Sequence, residues 1–353
     1  MNLHDDICAA IASPDETARA AAHAKWNAIA KPIGSLGELE QMVEQLAALV
    51  GTPDVHIDKR AVVVLCADNG VVAQGVSQSG PEITTLIAGS IAQGRSSVCK
   101  MAGTANARAF SVDMGMLEAS AVPGVIDRCV ARGTGDISLG PAMSREQALQ
   151  AIRTGIELVG DFKARGYQII ATGEMGIGNT TTSSAMAAAF FGLPASQVTG
   201  RGAGLSNAGL QRKEAAIERA LAVNAPDPND PLDVLAKLGG FDIAGLTGMF
   251  IGGAVHRIPL IIDGFISALA AYTAWRLRPD CRQALCASHV SAEPAARMLL
   301  DAIGLQPVIQ AGMRLGEGTG AVCLLPLLDA ALALYNGTTF DETGMDAYEV
   351  VPQ

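Results

Sequence analysis

Apolar residues recur every three or four positions over 17–30 and 36–50, which predicts two helices. The joining segment Lys31-Pro32-Ile33-Gly34-Ser35 carries the turn chemistry, and Ser35 with Glu38 three positions later reads as an N-cap and capping box. From residue 61 the texture changes to short apolar runs at 61–66, 109–112, 168–171, 259–262 and 285–290, with a weaker one at 308–313. Each run ends in a polar, glycine-containing loop followed by an Ala-rich stretch of helical length. Continuous rather than alternating apolar strands, interleaved with helices, predict an α/β fold with a parallel sheet covered on both faces. The stretch 224–231, with three prolines, is the clearest loop, and a last helix is expected over 321–335.

Polar and glycine residues gather just after the strands: Asp68-Asn69-Gly70, Asp113-Met114-Gly115, Thr172 to Thr182, Asp263-Gly264, and Ser288 to Glu293. In an open parallel sheet, ligands bind outside the carboxyl ends of the strands. One such cluster is explained by a structural turn; five on one edge point to a small-molecule site.

Composition narrows the function. The 353 residues carry 25 Lys+Arg against 35 Asp+Glu, a formal charge of −10, and only 4% are aromatic. Neither the basic footprint of a duplex binder nor the stacking platform of a single-strand binder is present, so no nucleic-acid partner is expected. Seven scattered cysteines without a C-x-x-C pair read as reduced thiols, and five distant histidines offer no zinc spacing, so no metal is expected. The acidic start without an apolar core is unlike a secretory signal, and the longest apolar stretches are broken by Asp263, Pro326 and Asp329. The expectation is a cytoplasmic protein without a membrane span.

Chemistry concentrates in three stretches. Gly173-Glu174-Met175-Gly176-Ile177-Gly178-Asn179-Thr180-Thr181-Thr182 follows a strand and opens a helix, where free N–H groups and the positive dipole end suit a phosphate. It lacks the Lys-Ser/Thr of a nucleoside-triphosphate loop and the third glycine of a dinucleotide fingerprint. A second glycine cluster, Gly200-Arg201-Gly202-Ala203-Gly204, precedes a polar helix whose Lys213 is either a phosphate cation or a solvated surface lysine. Ser291 is a further hydroxyl at a strand end, and His289 reads equally as structural or catalytic. In Arg314-Leu315-Gly316-Glu317-Gly318-Thr319-Gly320, a carboxylate bracketed by glycines is poorly explained by packing; the backbone there needs an unusual shape or a close approach. Glu174 beside Gly173 leaves a two-carboxylate site open.

Read together, Lys31-Pro32-Ile33-Gly34-Ser35-Leu36-Gly37, Cys66-Ala67-Asp68-Asn69-Gly70, Arg132-Gly133-Thr134-Gly135, the Gly173 to Thr181 loop, Gly239-Gly240-Phe241-Asp242, Asp263-Gly264-Phe265, Ser288-His289 with Ser291-Ala292-Glu293, and Arg314 to Gly320 are ordered motifs. From about residue 31 to 335 the sequence resembles the nicotinate-nucleotide–dimethylbenzimidazole phosphoribosyltransferases of cobalamin biosynthesis. The resemblance implies a Rossmann-like parallel sheet (61–304), a small helical domain built from both chain ends (1–60 and 305–353), and a homodimer. It implies transfer of phosphoribose from nicotinate mononucleotide to a lower-ligand base, with inversion at the anomeric carbon and without metal or cofactor.

Residue by residue, the family's general base matches Glu317, and Glu174 falls near the reacting centre. The nucleotide and phosphate contacts match Gly176, Ile177, Gly178, Asn179, Thr180, Gly202, Lys213 and Ser291. The base pocket would involve Ser79, Gly80, Met175 and Leu315. The chemistry is consistent with one base: a pyridinium leaves as a neutral ring and needs no acid, while the incoming benzimidazole must lose its N–H proton. Oxocarbenium-like charge in the transition state would be stabilised by a second carboxylate such as Glu174. Gly80-Pro81 departs from the family's loop after the first strand, which opens the identity of the base to adenine, other benzimidazoles or phenolic compounds. Two other readings remain at this point: a catalytically silent nucleotide-binding subunit, and a generic dehydrogenase.

Overall fold

The computed structural model describes residues 10–348; Cys8, His4 and the extreme ends of the proposed helical domain lie outside them. Six strands, β1 (Arg60–Ala67), β2 (Ala107–Gly115), β3 (Ile126–Asp127), β4 (Ile169–Met175), β5 (Leu260–Ile262) and β6 (Leu285–Ala287), form one sheet in the order β3-β2-β1-β4-β5-β6. Every pairing is parallel. This is the Rossmann-type order, and the direction of winding reverses between β1 and β4, where a crevice opens at the carboxyl edge.

The apolar runs become strands because both faces are covered. In β1 the residues Ala61, Val63, Leu65 and Ala67 join one core cluster, while Val62, Val64 and Cys66 join the other. The first cluster is roofed by helices Arg145–Ala164, Asn179–Phe191, Phe241–Val255 and Phe265–Leu277. Glycines let two of these approach closely: a Cβ on Gly155 or Gly248 would run into the backbone of the opposing helix. The second cluster lies under Glu16–Ala28, Glu38–Val50, Glu82–Ala92, Ser97–Thr104 and Thr319–Tyr335. Here the two ends of the chain meet. Ile29 bridges Thr339 in antiparallel fashion, Trp26 packs on Tyr335 with ring centroids 4.8 Å apart, and Arg60 grips the Asp329 carboxylate with both terminal nitrogens.

The structure differs from the sequence expectations in three places. The capping box at Ser35 does not form: Gly37, at φ +53°, precedes the helix, and Glu40 reaches back to accept from the Leu36 N–H at 2.8 Å. The reason is Lys31, whose buried ammonium needs the Glu40 carboxylate at 2.7 Å. The run 308–313 makes only a single parallel bridge, Ile309 to His289, rather than a strand. The edge strand β3, which was not anticipated, has two residues, too short to leave a pattern. The six described cysteines are free thiols. Among the described residues no helix is long and apolar enough to cross a membrane.

Candidate active site

A cavity of about 340 Å³ lies over the carboxyl ends of β1, β4 and β5. Glu174, Met175, Gly176, Ile177, Gly178, Asn179, Thr180, Gly202, Ser291, Ser79, Leu315 and Glu317 all line it. Two predicted residues stand outside its wall. Gly80 sits one position beyond Ser79, with the Glu82 carboxylate folded against it. Lys213 is fully buried behind the wall, donating to Thr180 Oγ1 at 2.9 Å and to the Gly200 carbonyl at 3.1 Å. A polar helix hid this burial, which pushes the Lys213 ammonium down to about 8.

One end of the cavity is built from backbone. Gly176 is required because a Cβ there would meet the Ala67 carbonyl at 2.5 Å, and Gly178, at φ +95°, turns the chain into the helix Asn179–Phe191. Gly202, at φ +52°, brings the second glycine loop against Thr180. Ser79 belongs to the loop after β1, and the Gln78 side chain ties this loop to the Gly204 carbonyl across the cavity mouth.

The other end is built from acids. Glu174 is the penultimate residue of β4; its Oε2 and the Asp242 Oδ2, the latter at 2.8 Å, both accept from the Asn179 side-chain amide. Glu317 follows at φ +59°, between Gly316 and Gly318, both at φ +88°. Three consecutive left-handed residues, one of them not glycine, are the unusual backbone that the sequence anticipated, and such strain concentrates at functional sites. The turn presses on β4 so closely that a Cβ on Gly173 would sit 2.6 Å from the Glu317 carbonyl. It is held by Asp263, whose carboxylate accepts the Gly318 N–H at 3.2 Å and the Ala321 N–H at 2.9 Å, capping helix Thr319–Tyr335.

Burying these acids shifts them in the same direction. Burial, reinforced by Asp242, pushes Glu174 up to about 8; burial pushes Asp242 up to about 6. Burial raises Asp263 and Glu317 as well, the latter partly offset by the Val98 N–H. Glu317 Oε2 is buried and has no hydrogen-bond partner among the described residues. His289 lines the wall with its tautomer set: Ser288 Oγ donates to the Ile262 carbonyl at 2.6 Å, so it accepts from His289 Nδ1 at 2.9 Å. Burial lowers the His289 pKa, favouring a neutral ring with Nε2 unprotonated. Asp242, Asp263 and Glu293 were not singled out from sequence as site residues. The signals were position, at strand ends or the first turn of a helix, and their place inside the motifs that carry the resemblance.

A Rossmann-like sheet with a pocket at its switch point is the architecture of a nucleotide-handling α/β enzyme. A phosphoribosyltransferase family model matches residues 11–345. The chain is 44% identical to the nicotinate-nucleotide–dimethylbenzimidazole phosphoribosyltransferase of Ruminiclostridium cellulolyticum, covering 91% of this chain and 92% of that one. It is 45% identical to the enzyme of the same name from Roseiflexus sp., covering 98% of each. The crystal structure of CobT from Thermus thermophilus superposes with a TM-score of 0.88 at 38% identity, over 94% of this chain and 99% of that one. The chain belongs to the nicotinate-nucleotide–dimethylbenzimidazole phosphoribosyltransferase family. The dehydrogenase reading is thereby set aside.

Proposed function

We propose that this protein transfers phosphoribose from nicotinate mononucleotide to 5,6-dimethylbenzimidazole or a close relative, releasing nicotinate and α-ribazole 5′-phosphate, with Glu317 as general base. The observation that carries the assignment is Glu317 in the cavity wall, on a backbone turn of three positive φ angles, with one buried carboxylate oxygen unpartnered among the described residues. The phosphate is held by the Gly176–Thr180 turn and by Gly202, with Lys213 behind Thr180 supplying positive charge and Ser291 a hydroxyl. The ribose then points towards the acids, and the base enters between Ser79, Met175 and Leu315.

In the reaction, a ring nitrogen of the base attacks the anomeric carbon while the C–N bond to the pyridinium breaks. The bond's electron pair leaves with nicotinate, whose ring becomes neutral. The N–H proton of the attacking base passes to Glu317, which is free to accept it because no protein donor occupies Oε2. Glu174, Asp242 and Asp263 gather here, and their ionised forms would stabilise both the pyridinium and the oxocarbenium-like transition state. A cationic substrate would in turn draw the Glu174 proton off. Assembly as a homodimer, a cytoplasmic location and a helical domain from residues 1–60 and 305–353 belong to the same reading.

The test is product identification by mass spectrometry after incubation with nicotinate mononucleotide and a mixture of benzimidazoles, adenine and phenols. α-Ribazole 5′-phosphate or its methylated relatives as the dominant product supports the assignment. Absence of any ribotide overturns it in favour of a silent subunit, and a phenolic ribotide as the dominant product redirects the choice of base.

A further inference from the structure

Glu293 has no part in the reaction just described, yet its carboxylate sits inside the proposed phosphate site. Oε1 accepts the Gly202 N–H at 3.1 Å. The same carboxylate is folded so tightly onto the second glycine loop that a Cβ on Gly200 would collide with it. Oε2 is buried without a partner. Lys213, two hydrogen bonds into Thr180 and Gly200, has one ammonium proton left and interacts favourably with the Glu293 charge. The Glu293 N–H in turn donates to Ser291 Oγ at 3.4 Å. Glu293 therefore touches, or neutralises, three of the groups assigned to the phosphate: Gly202, Lys213 and Ser291.

A carboxylate held only to stabilise a loop would have both oxygens satisfied, because an orphaned buried acceptor carries an uncompensated desolvation cost. An anion waiting in a site for another anion has no such requirement. We propose that Glu293 is a resident substitute for the substrate's phosphate: it occupies the Gly202 N–H and offsets Lys213 while the site is empty, and the incoming 5′-phosphate must displace it. This rests on the reading that Gly202 and Lys213 serve the phosphate. It makes Glu293 a specificity-determining residue. Only an anion that outcompetes a tethered carboxylate gains the site, so a doubly charged phosphate enters while singly charged carboxylates are held off. It also keeps a buried lysine compensated between turnovers, when desolvation would otherwise favour loss of its proton.

The experiment is calorimetric titration of the full-length wild type and of Glu293→Gln with three probes: nicotinate mononucleotide, nicotinate riboside and inorganic phosphate. Glutamine keeps the acceptor for Gly202 but removes the charge. Removing a like charge beside the bound phosphate should tighten mononucleotide and inorganic phosphate by roughly tenfold and leave the riboside unchanged. Glu293→Asp, which keeps the charge but shortens the reach, should fall between, and serves if the glutamine variant folds poorly. Unchanged affinities in both variants, or mononucleotide and riboside moving together, overturn the proposal and leave Glu293 as loop support. If the wild type itself binds the mononucleotide no better than the riboside, the phosphate site is elsewhere, and the underlying assignment fails in a way the variant data alone could not mimic.

Discussion

The two ends of the cavity are opposites. At one lie glycine turns, a helix N-terminus and a buried lysine, groups that suit negative charge. At the other lie Glu174, Asp242, Asp263 and Glu317, and burial raises all four above ordinary carboxylates. A mononucleotide with a phosphate at one end and a pyridinium at the other fits this polarity in one direction only. The difference also lies in how each end is held. The proposed phosphate end combines main chain from two glycine turns with the side chains of Lys213 and Glu293 behind them. The acid end uses side chains from four distant segments, which only the assembled sheet brings together.

Breaking the acid end should have the largest effect. Glu317→Gln removes the proton acceptor but not the shape, so turnover should fall by about 10²–10⁴ while the mononucleotide still binds. Steady-state rates with equilibrium titration check this, and a variant with near-normal turnover would take Glu317 out of the role. At the phosphate end, Lys213→Met replaces a buried cation by a side chain of similar length. KM for the mononucleotide should rise by about 10²-fold, in the range for truncating one partner of a buried charge pair, with a much smaller change in kcat. Equal losses in both constants would instead place Lys213 at the reacting centre.

The third test is thermodynamic. The Glu174 carboxyl is raised from 4.5 to about 8, so the stability that its protonated form contributes is fully present below 4.5 and is lost as pH rises through about 8. Lys213, lowered from 10.5 to about 8, acts the other way: its contribution is present above 10.5 and is lost as pH falls through about 8. In the ligand-free enzyme, Glu174→Gln should therefore remove the loss between 4.5 and 8. It should be more stable than the wild type at pH 8 by on the order of 1–3 kcal/mol, the neighbouring acids taking up part of the full linkage value. Parallel melting curves of the two proteins across this range would show otherwise if Glu174 is already ionised.

How much of this was legible in the sequence follows the same division. Strands buried on both faces announce themselves as apolar runs, which is why β1, β2, β4, β5 and β6 were readable. Glycine loops announce a close approach, and the Gly176–Thr180 and Gly316–Gly318 turns both proved to be such places. What stayed hidden depends on partners far along the chain. Lys213 sits on a helix that reads as solvated, Asp242 acquires its meaning from an amide 63 residues away, and Asp263 from N–H groups 55 and 58 residues away. Ser35 failed as a cap for a more local reason, since Glu40, paired with the buried Lys31, accepts the Leu36 N–H in place of a capping box.

The strict alternation of β1 between two separate cores carries a consequence for how this molecule can change. Inserting or deleting one residue there would exchange the contents of the two hydrophobic layers at a stroke, so the central ribbon tolerates no length variation. The segment from Gly75 to Pro81, hung from that ribbon beyond a short 3-10 turn, is under no such discipline. Selection for a different aromatic acceptor can therefore act on the exposed positions of this loop, between the buried Val76 and the helix that follows, while the frame beneath stays locked, and new specificities should arise there first.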